Sequence, residues 1–307
     1  MVTNEKIKLG LSQWSFHRAF FGNSRDNYEQ FIADLHSKTP QKILKGEMDE
    51  NGLIQVAQKL DVKIIDLVNI LFMSHLEDDL WLKQWRNNAE KNGVSFNCLM
   101  CDEIGNLGAS SERERTTAIE LHKKWINTAA KLGCNMVRVN AYGDGTYLNQ
   151  LEKNTKSLIS LAAHAQPLNI NIVVENHGHP SSNGAWLAML MENVSLDNVG
   201  VYLDFDNFFM GGWNHNPKRL YDRDQGMHDL APYTLGASAK SYHFNNAGEE
   251  TTVDFNKCIN ILIKNGFTGV IAAEFEGDVM SEYEGTQATL KLLEKTLSHP
   301  KNYSNSI

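Results

Sequence analysis

Residues 171–180, NIVVENHGHP, decide how the rest of the chain is read. Ile172, Val173 and Val174 form a β-branched apolar run of the length expected for a strand covered on both faces. The run stops at once on a carboxylate, an amide and two imidazoles, so a buried strand delivers Glu175 to a polar place. Burying a carboxylate is costly unless a metal, a base or hydrogen-bond donors meet it. The same grammar recurs twice: Val201, Tyr202 and Leu203 run into Asp204, and Val270 to Ala273 run into Glu274. A single acidic strand end is commonplace in solvated loops, whereas three in buried strands of one chain point to one shared site.

Working outward, segments of β-type composition alternate with segments of helical periodicity. Strands are expected within 7–16, 62–68, 94–100, 136–140, 171–175, 199–203, 236–242 and 269–275. Helices are expected at 27–36, 50–60, 76–92, 111–132, 148–166, 186–192, 217–230, 254–264 and 283–297, with Gly93 and Gly133 as stops. The longest carries Ala118, Leu121, Trp125, Ala129 and Leu132 on one face. Eight strands alternating with helices, without a linker or composition shift, predict a single (β/α)8 TIM barrel domain over 1–307, with 298–307 a frayed tail. The competing open, doubly wound sheet usually shows a glycine-rich phosphate turn after its first strand, and LSQWSFHRAF has none. In a barrel the carboxyl ends of the strands carry the chemistry, and the polar residues gather there.

The bulk composition agrees with this reading. Of 307 residues, 42% are hydrophobic and 21% charged, which supplies a large core in a globular protein. The net charge of −8 argues against nucleic-acid partners, whose phosphates are met by basic patches. The opening MVTNEKIKLGLS has no signal-like apolar segment, and no apolar run approaches the length that spans a membrane, so a cytoplasmic protein without a membrane partner is expected. The four cysteines are too few for a disulfide scaffold. Cys98 and Cys101, three apart on an expected strand, diverge instead of chelating and read as core.

Residues two apart on a strand can share a face, as Asp204 and Asp206 in LDFDN and Glu274 and Glu276 in AAEFEG would, with one of each pair expected to make the direct contact at the site. Three carboxylates with an imidazole are an ordinary coordination set for Mn²⁺, Mg²⁺, Co²⁺ or Zn²⁺. Such an ion would polarise a carbonyl and its neighbouring hydroxyl, easing formation of an enediolate when a carboxylate removes the adjacent C–H proton. Two glutamates on opposite sides could pass that proton between them.

The runs ENHGHPSSNGAWL, LDFDNF, SAKSYHFNNAGEETTVDFNK and GFTGVIAAEFEG together resemble the sugar phosphate isomerase/epimerase family of xylose isomerase-like barrels. The likeness is dense over 171–295 and looser before it, where GLSQWSFHRAF and MVRVNAYG are the matching pieces. The resemblance implies one divalent ion held after strands five, six and eight by Glu175, Asp204 and Glu274, with the two glutamates as the acid/base pair. It also implies a strand-seven histidine. Here the matching position is Ser238, two before Lys240, and the nearest imidazole, His243, could ligate only if the strand ends near Tyr242. Family members often pair, so a homo-oligomer is an expectation of the resemblance alone.

Other residues have both a functional and a bland reading. His177 is a candidate for substrate hydroxyls, while His179 is assigned neither role. Arg138, beside Asn140, could hold an anion bidentately or lie buried against a neighbouring carboxylate. Trp14 and His17 could wall a sugar face, or Trp14 could be core filler. Lys240, in mid-strand between Ala239 and Ser241, is less easily dismissed as solvated surface. Asn207, closing LDFDN, completes the candidate substrate contacts. The leading expectation is a metal-dependent isomerase or epimerase acting on a small ketose, sugar or inositol derivative. A lyase of inosose dehydratase or aldolase type is the second class, and a sugar-binding barrel without catalysis is the third. Endonuclease IV shares the superfamily, but its three-metal site needs more histidines at strand ends than this chain offers.

Overall fold

The computed structural model describes residues 7–178, 180–212 and 215–299. His179 and the tail from 300 onward lie outside the described residues. The strands are β1 (Lys8–Ser12), β2 (Ile64–Val68), β3 (Ser95–Met100), β4 (Met136–Val139), β5 (Asn171–Glu175), β6 (Val199–Asp204), β7 (Phe209–Met210), β8 (Arg219–Leu220), β9 (Thr234–Ser241) and β10 (Val270–Phe275). Eight of them close into a barrel in the order β1-β10-β9-β6-β5-β4-β3-β2, and β7 pairs with β8 in a separate ribbon. Every barrel pairing is parallel, and helices fill the crossovers, so the architecture is the (β/α)8 barrel that the alternating pattern predicts.

The barrel strands are continuous apolar runs because both of their faces are covered. Ile172, Val173 and Val174 are fully buried, as are Val201, Tyr202 and Leu203 on the neighbouring strand. The helix Glu112–Leu132 turns Ala118, Trp125, Ile126, Ala129 and Leu132 inward, a stripe that follows from their three- and four-residue spacing. Ser111 caps its start by accepting from the Glu114 N–H, and Gly133 ends it at φ 81°, a left-handed conformation that a side chain would oppose.

One expected helix is half wrong. Residues 217–230 do not form one helix; only Arg223–Leu230 does, capped by Asp222. Ahead of it, Gly211 and Gly212 at φ 83° and 87° and Pro217, which has no N–H to give a helix, turn the chain into the β7–β8 ribbon. Two other boundaries move to residues with capping side chains. The helix expected from 76 starts at Asp79 behind Asp78, and the one expected at 186–192 runs Gly184–Val194 behind Asn183. All four cysteines are free and buried. No helix among the described residues is long and apolar enough to cross a membrane.

Candidate active site

Register brings the strand-end residues onto one level. Asp204 lies beside Ser238 across β6 and β9, Lys240 lies beside Glu274 across β9 and β10, and Glu175 ends β5 opposite Tyr202 of β6. Side chains two apart alternate to the same face, so Lys240 and Ser238 point together into the barrel with Glu274 and Asp204. All four are buried.

The centre of the cluster is an ammonium group. Lys240 Nζ lies 3.3 Å from Asp204 Oδ2, 3.1 Å from Glu274 Oε1 and 3.1 Å from Glu276 Oε1, and donates to Asn207 Oδ1 at 3.2 Å. Burial alone would lower its pKa, but Asp204, Glu276 and Glu274 hold it well above the usual lysine value, so it stays charged. Each acid is anchored a second time. Ser12 donates to Glu274 Oε2 at 2.8 Å, and the Trp14 indole N–H donates to Glu276 Oε1 at 2.8 Å. Asp204 Oδ1 accepts the backbone N–H groups of Asp206 at 2.7 Å and Asn207 at 2.9 Å, closing the turn that follows β6. Asn176 then clamps β5 to β6, accepting from the Asp204 N–H at 2.8 Å and donating to the Asp204 carbonyl at 2.9 Å.

A second cation holds the other glutamate. Arg138 Nε is 2.7 Å from Glu175 Oε2, and the far side of the guanidinium meets Asp102 at 2.6 Å. Asn207 donates to Glu175 Oε1 at 2.8 Å and so links the two halves of the cluster. Burial raises the pKa of Glu175 despite Arg138 and Lys240, whereas for Asp102 burial is outweighed by Arg138, His177 and the Asn140 hydrogen bond acting together, which hold it low. His177 shares a 2.6 Å hydrogen bond with the Tyr142 hydroxyl, and burial, then Arg138, push its pKa down to about 3. Its imidazole is therefore neutral at physiological pH.

The structure thus brings together Glu175, Asp204, Glu274, Lys240, Asn207 and Arg138, with His177 alongside. Arg138 takes the second of its two readings, an arginine buried against carboxylates of its own chain. Trp14 and His17 stack at 4.9 Å beside Glu276, at the rim. His243 does not join: β9 ends at Ser241, and His243 is exposed beyond it, its N–H donating to Glu250 at 3.1 Å. Of the two acidic pairs, Asp206 turns away to Arg223 and Tyr242, while Glu274 and Glu276 both reach Lys240. Sequence reasoning missed Asp102, although it stands at the end of β3 in the same acid-after-strand grammar. It also missed Ser12, Asn176 and Tyr142, whose partners lie on or just beyond neighbouring strands but far away in the sequence.

A divalent ion needs its ligand atoms gathered about 2.0–2.6 Å from one point. No group of three or more His, Cys, Asp or Glu among the described residues is so gathered. The point on which Asp204, Glu274 and Glu276 converge is taken by Lys240 Nζ. The strand-seven histidine position is Ser238, whose buried hydroxyl has no hydrogen-bond partner and offers no imidazole nitrogen. The expected ion, with Glu175, Asp204, His243 and Glu274 as ligands, does not fit the residues as they stand.

A closed parallel barrel with acids gathered at the carboxyl ends of its strands is the frame in which the site sits. The chain belongs to the xylose isomerase-like TIM barrel family, which it matches over residues 54–296. No curated protein matches its sequence. Among solved structures it is similar to D-psicose 3-epimerase in the presence of D-fructose, at 15% identity and TM-score 0.63 over 81% of this chain and 94% of that one. It is also similar to 3-keto-D-glucoside 4-epimerase from E. coli, at 12% identity and TM-score 0.64 over 80% and 94%. The IOLI protein, solved with a bound zinc atom, aligns at 15% identity and TM-score 0.66 over 96% and 99%.

Proposed function

We propose that this chain is a sugar isomerase or epimerase that moves a proton beside the carbonyl of a small ketose, sugar or inositol derivative, with Glu175 and Glu274 as the proton-transfer pair. The observation that carries the reading is the delivery of these two glutamates, from β5 and β10, to one buried cluster in which each is paired with a buried cation. The family and the epimerases that share the fold support it by analogy. In the reaction one glutamate takes the C–H proton, and the electron pair moves into the carbonyl to give an enediolate. The other glutamate returns a proton to the opposite face. Asn207 and Ser12 fix one oxygen of each acid by a hydrogen bond, which leaves orientation to the chain and not to chance.

The test is kinetic. Glu175→Gln and Glu274→Gln keep size and one acceptor oxygen but cannot carry the proton, so turnover of the active sugar should fall about 10² to 10⁴-fold while substrate binding changes far less. An elimination product in place of an isomer would move the protein to the lyases, and near-normal turnover in both variants would remove the pair from the chemistry.

A further inference from the structure

We propose that Lys240 is the permanent cation of this site, an internal ammonium standing where the family resemblance places a divalent ion, so that the barrel orders its acids without a metal. The proposal rests on the functional reading only for what the cation does to substrate; its charge-balancing role stands on the geometry alone.

Three features of the cluster carry it. The ammonium lies between Asp204, Glu274 and Glu276 at 3.1–3.3 Å, close enough to neutralise them and to exclude a second cation from the same point. The residue that would complete an ion's ligand set has changed in the same strand: Ser238 shares a face with Lys240, two residues away, and cannot ligate as an imidazole does. Glu175, the remaining acid expected to bind metal, is held by Arg138 at 2.7 Å, so each half of the ring carries its own basic partner. A site built to hold a metal would have to expel a buried lysine and break the pairing of an arginine.

The consequence for chemistry is a different electrophile. An ammonium offers N–H donors and one positive charge in place of a Lewis acid, and can hold the oxygen of an enediolate by charge-assisted hydrogen bonds. Of its three acidic partners Glu276 is the most accessible, with a side chain 27% exposed against 0% for Asp204 and 6% for Glu274. Trp14 holds Glu276 independently of Lys240. A substrate oxygen entering from the rim would therefore displace Glu276 from the ammonium and leave Asp204 and Glu274 paired.

The test reads metal first and turnover second. Wild-type protein is dialysed against Mn²⁺ or Zn²⁺, then against buffer, and its metal content measured, with calorimetric titration of each ion alone. The proposal expects far less than one equivalent retained and no saturable site, and no loss of any sugar activity on chelator treatment. Lys240→Met strips the acids of their cation and should acquire a saturable site for either ion, at least roughly tenfold tighter than any residual wild-type binding, a gain cancelled by adding Asp204→Asn. One tightly held equivalent in the wild type, lost in Asp204→Asn, overturns the proposal, as does a folded Lys240→Met that gains no affinity. Should Lys240→Met fail to fold, the wild-type titration decides alone. A metal-free wild type inactive on every sugar would sink the functional reading and leave Lys240 in place; an active enzyme with a tightly held ion would do the reverse.

Discussion

Asp66 sits inside the barrel with both oxygens committed. Oδ2 accepts from the Tyr202 hydroxyl at 2.7 Å across the barrel, and Oδ1 accepts from Asn97 and from the Cys98 N–H, each at 2.9 Å. Burial pushes its pKa from an ordinary 3.8 up to about 6 against the pull of those donors. The folded state then binds a proton that the unfolded state releases, so this group adds stability below about pH 3.8 that is lost as pH rises through about 6. Asp66→Asn has no proton to lose. Denaturant unfolding across that window should show wild type losing on the order of 3 kcal/mol relative to the variant as pH rises, and parallel curves would contradict the shift. Lys240→Met makes a harsher prediction at the same scale. It leaves buried acids unpaired, so stability at neutral pH should fall by about 3–5 kcal/mol, recovering in part at low pH where the acids take up protons. At this scale the three strand-end acids could be read directly from the sequence, because each follows an apolar run. The partners of Lys240 could not, since they follow from inter-strand register and not from any local pattern.

Elements, more than single side chains, set the spacing of the site. The end of β10 approaches the end of β9 so closely that a Cβ on Gly277 would stand 1.9 Å from the Tyr242 carbonyl oxygen. Gly277 follows Glu276 directly, so the close approach fixes where that carboxylate meets Lys240 and Trp14. Gly277→Ala should cost about 1–3 kcal/mol in thermal or denaturant unfolding, and should disturb Trp14 fluorescence through its bond to Glu276. A wild-type melting curve and spectrum would show that the strand ends have room to spare. The same argument applies to Asn176, which ties β5 to β6 through two hydrogen bonds to the Asp204 backbone. Asn176→Ala leaves a buried N–H and carbonyl without that partner and should destabilise by about 1–3 kcal/mol. Strand and helix order could be read from the sequence because covered strands and one-sided helices write different periods. The β7–β8 ribbon was misread because two short strands in a glycine- and proline-rich segment write almost none. The end of β9 at Ser241, which leaves His243 outside, is likewise a boundary that no periodicity marks.

On the scale of the whole molecule, the barrel converts sequence-distant acids and bases into one paired cluster. Arg138, Glu175, Asp204, Lys240 and Glu274 come from five different strands, and closure alone makes them neighbours. The fold was therefore legible in outline, and the acids of the site with it; Arg138 and Lys240 also stood out as candidates, but which acids they meet became visible only once the ring had closed. What the assembled ring is for comes down to whether it removes a proton from carbon. The direct measurement is incorporation of solvent deuterium beside the carbonyl of ketoses and inososes, followed by NMR or mass spectrometry, with wild type, Glu175→Gln and Glu274→Gln in parallel. The account predicts exchange into at least one sugar by the wild type, with one Gln variant losing exchange and the variant of the reprotonating residue exchanging without completing turnover. No exchange from any sugar, or exchange unchanged in both variants, would contradict it.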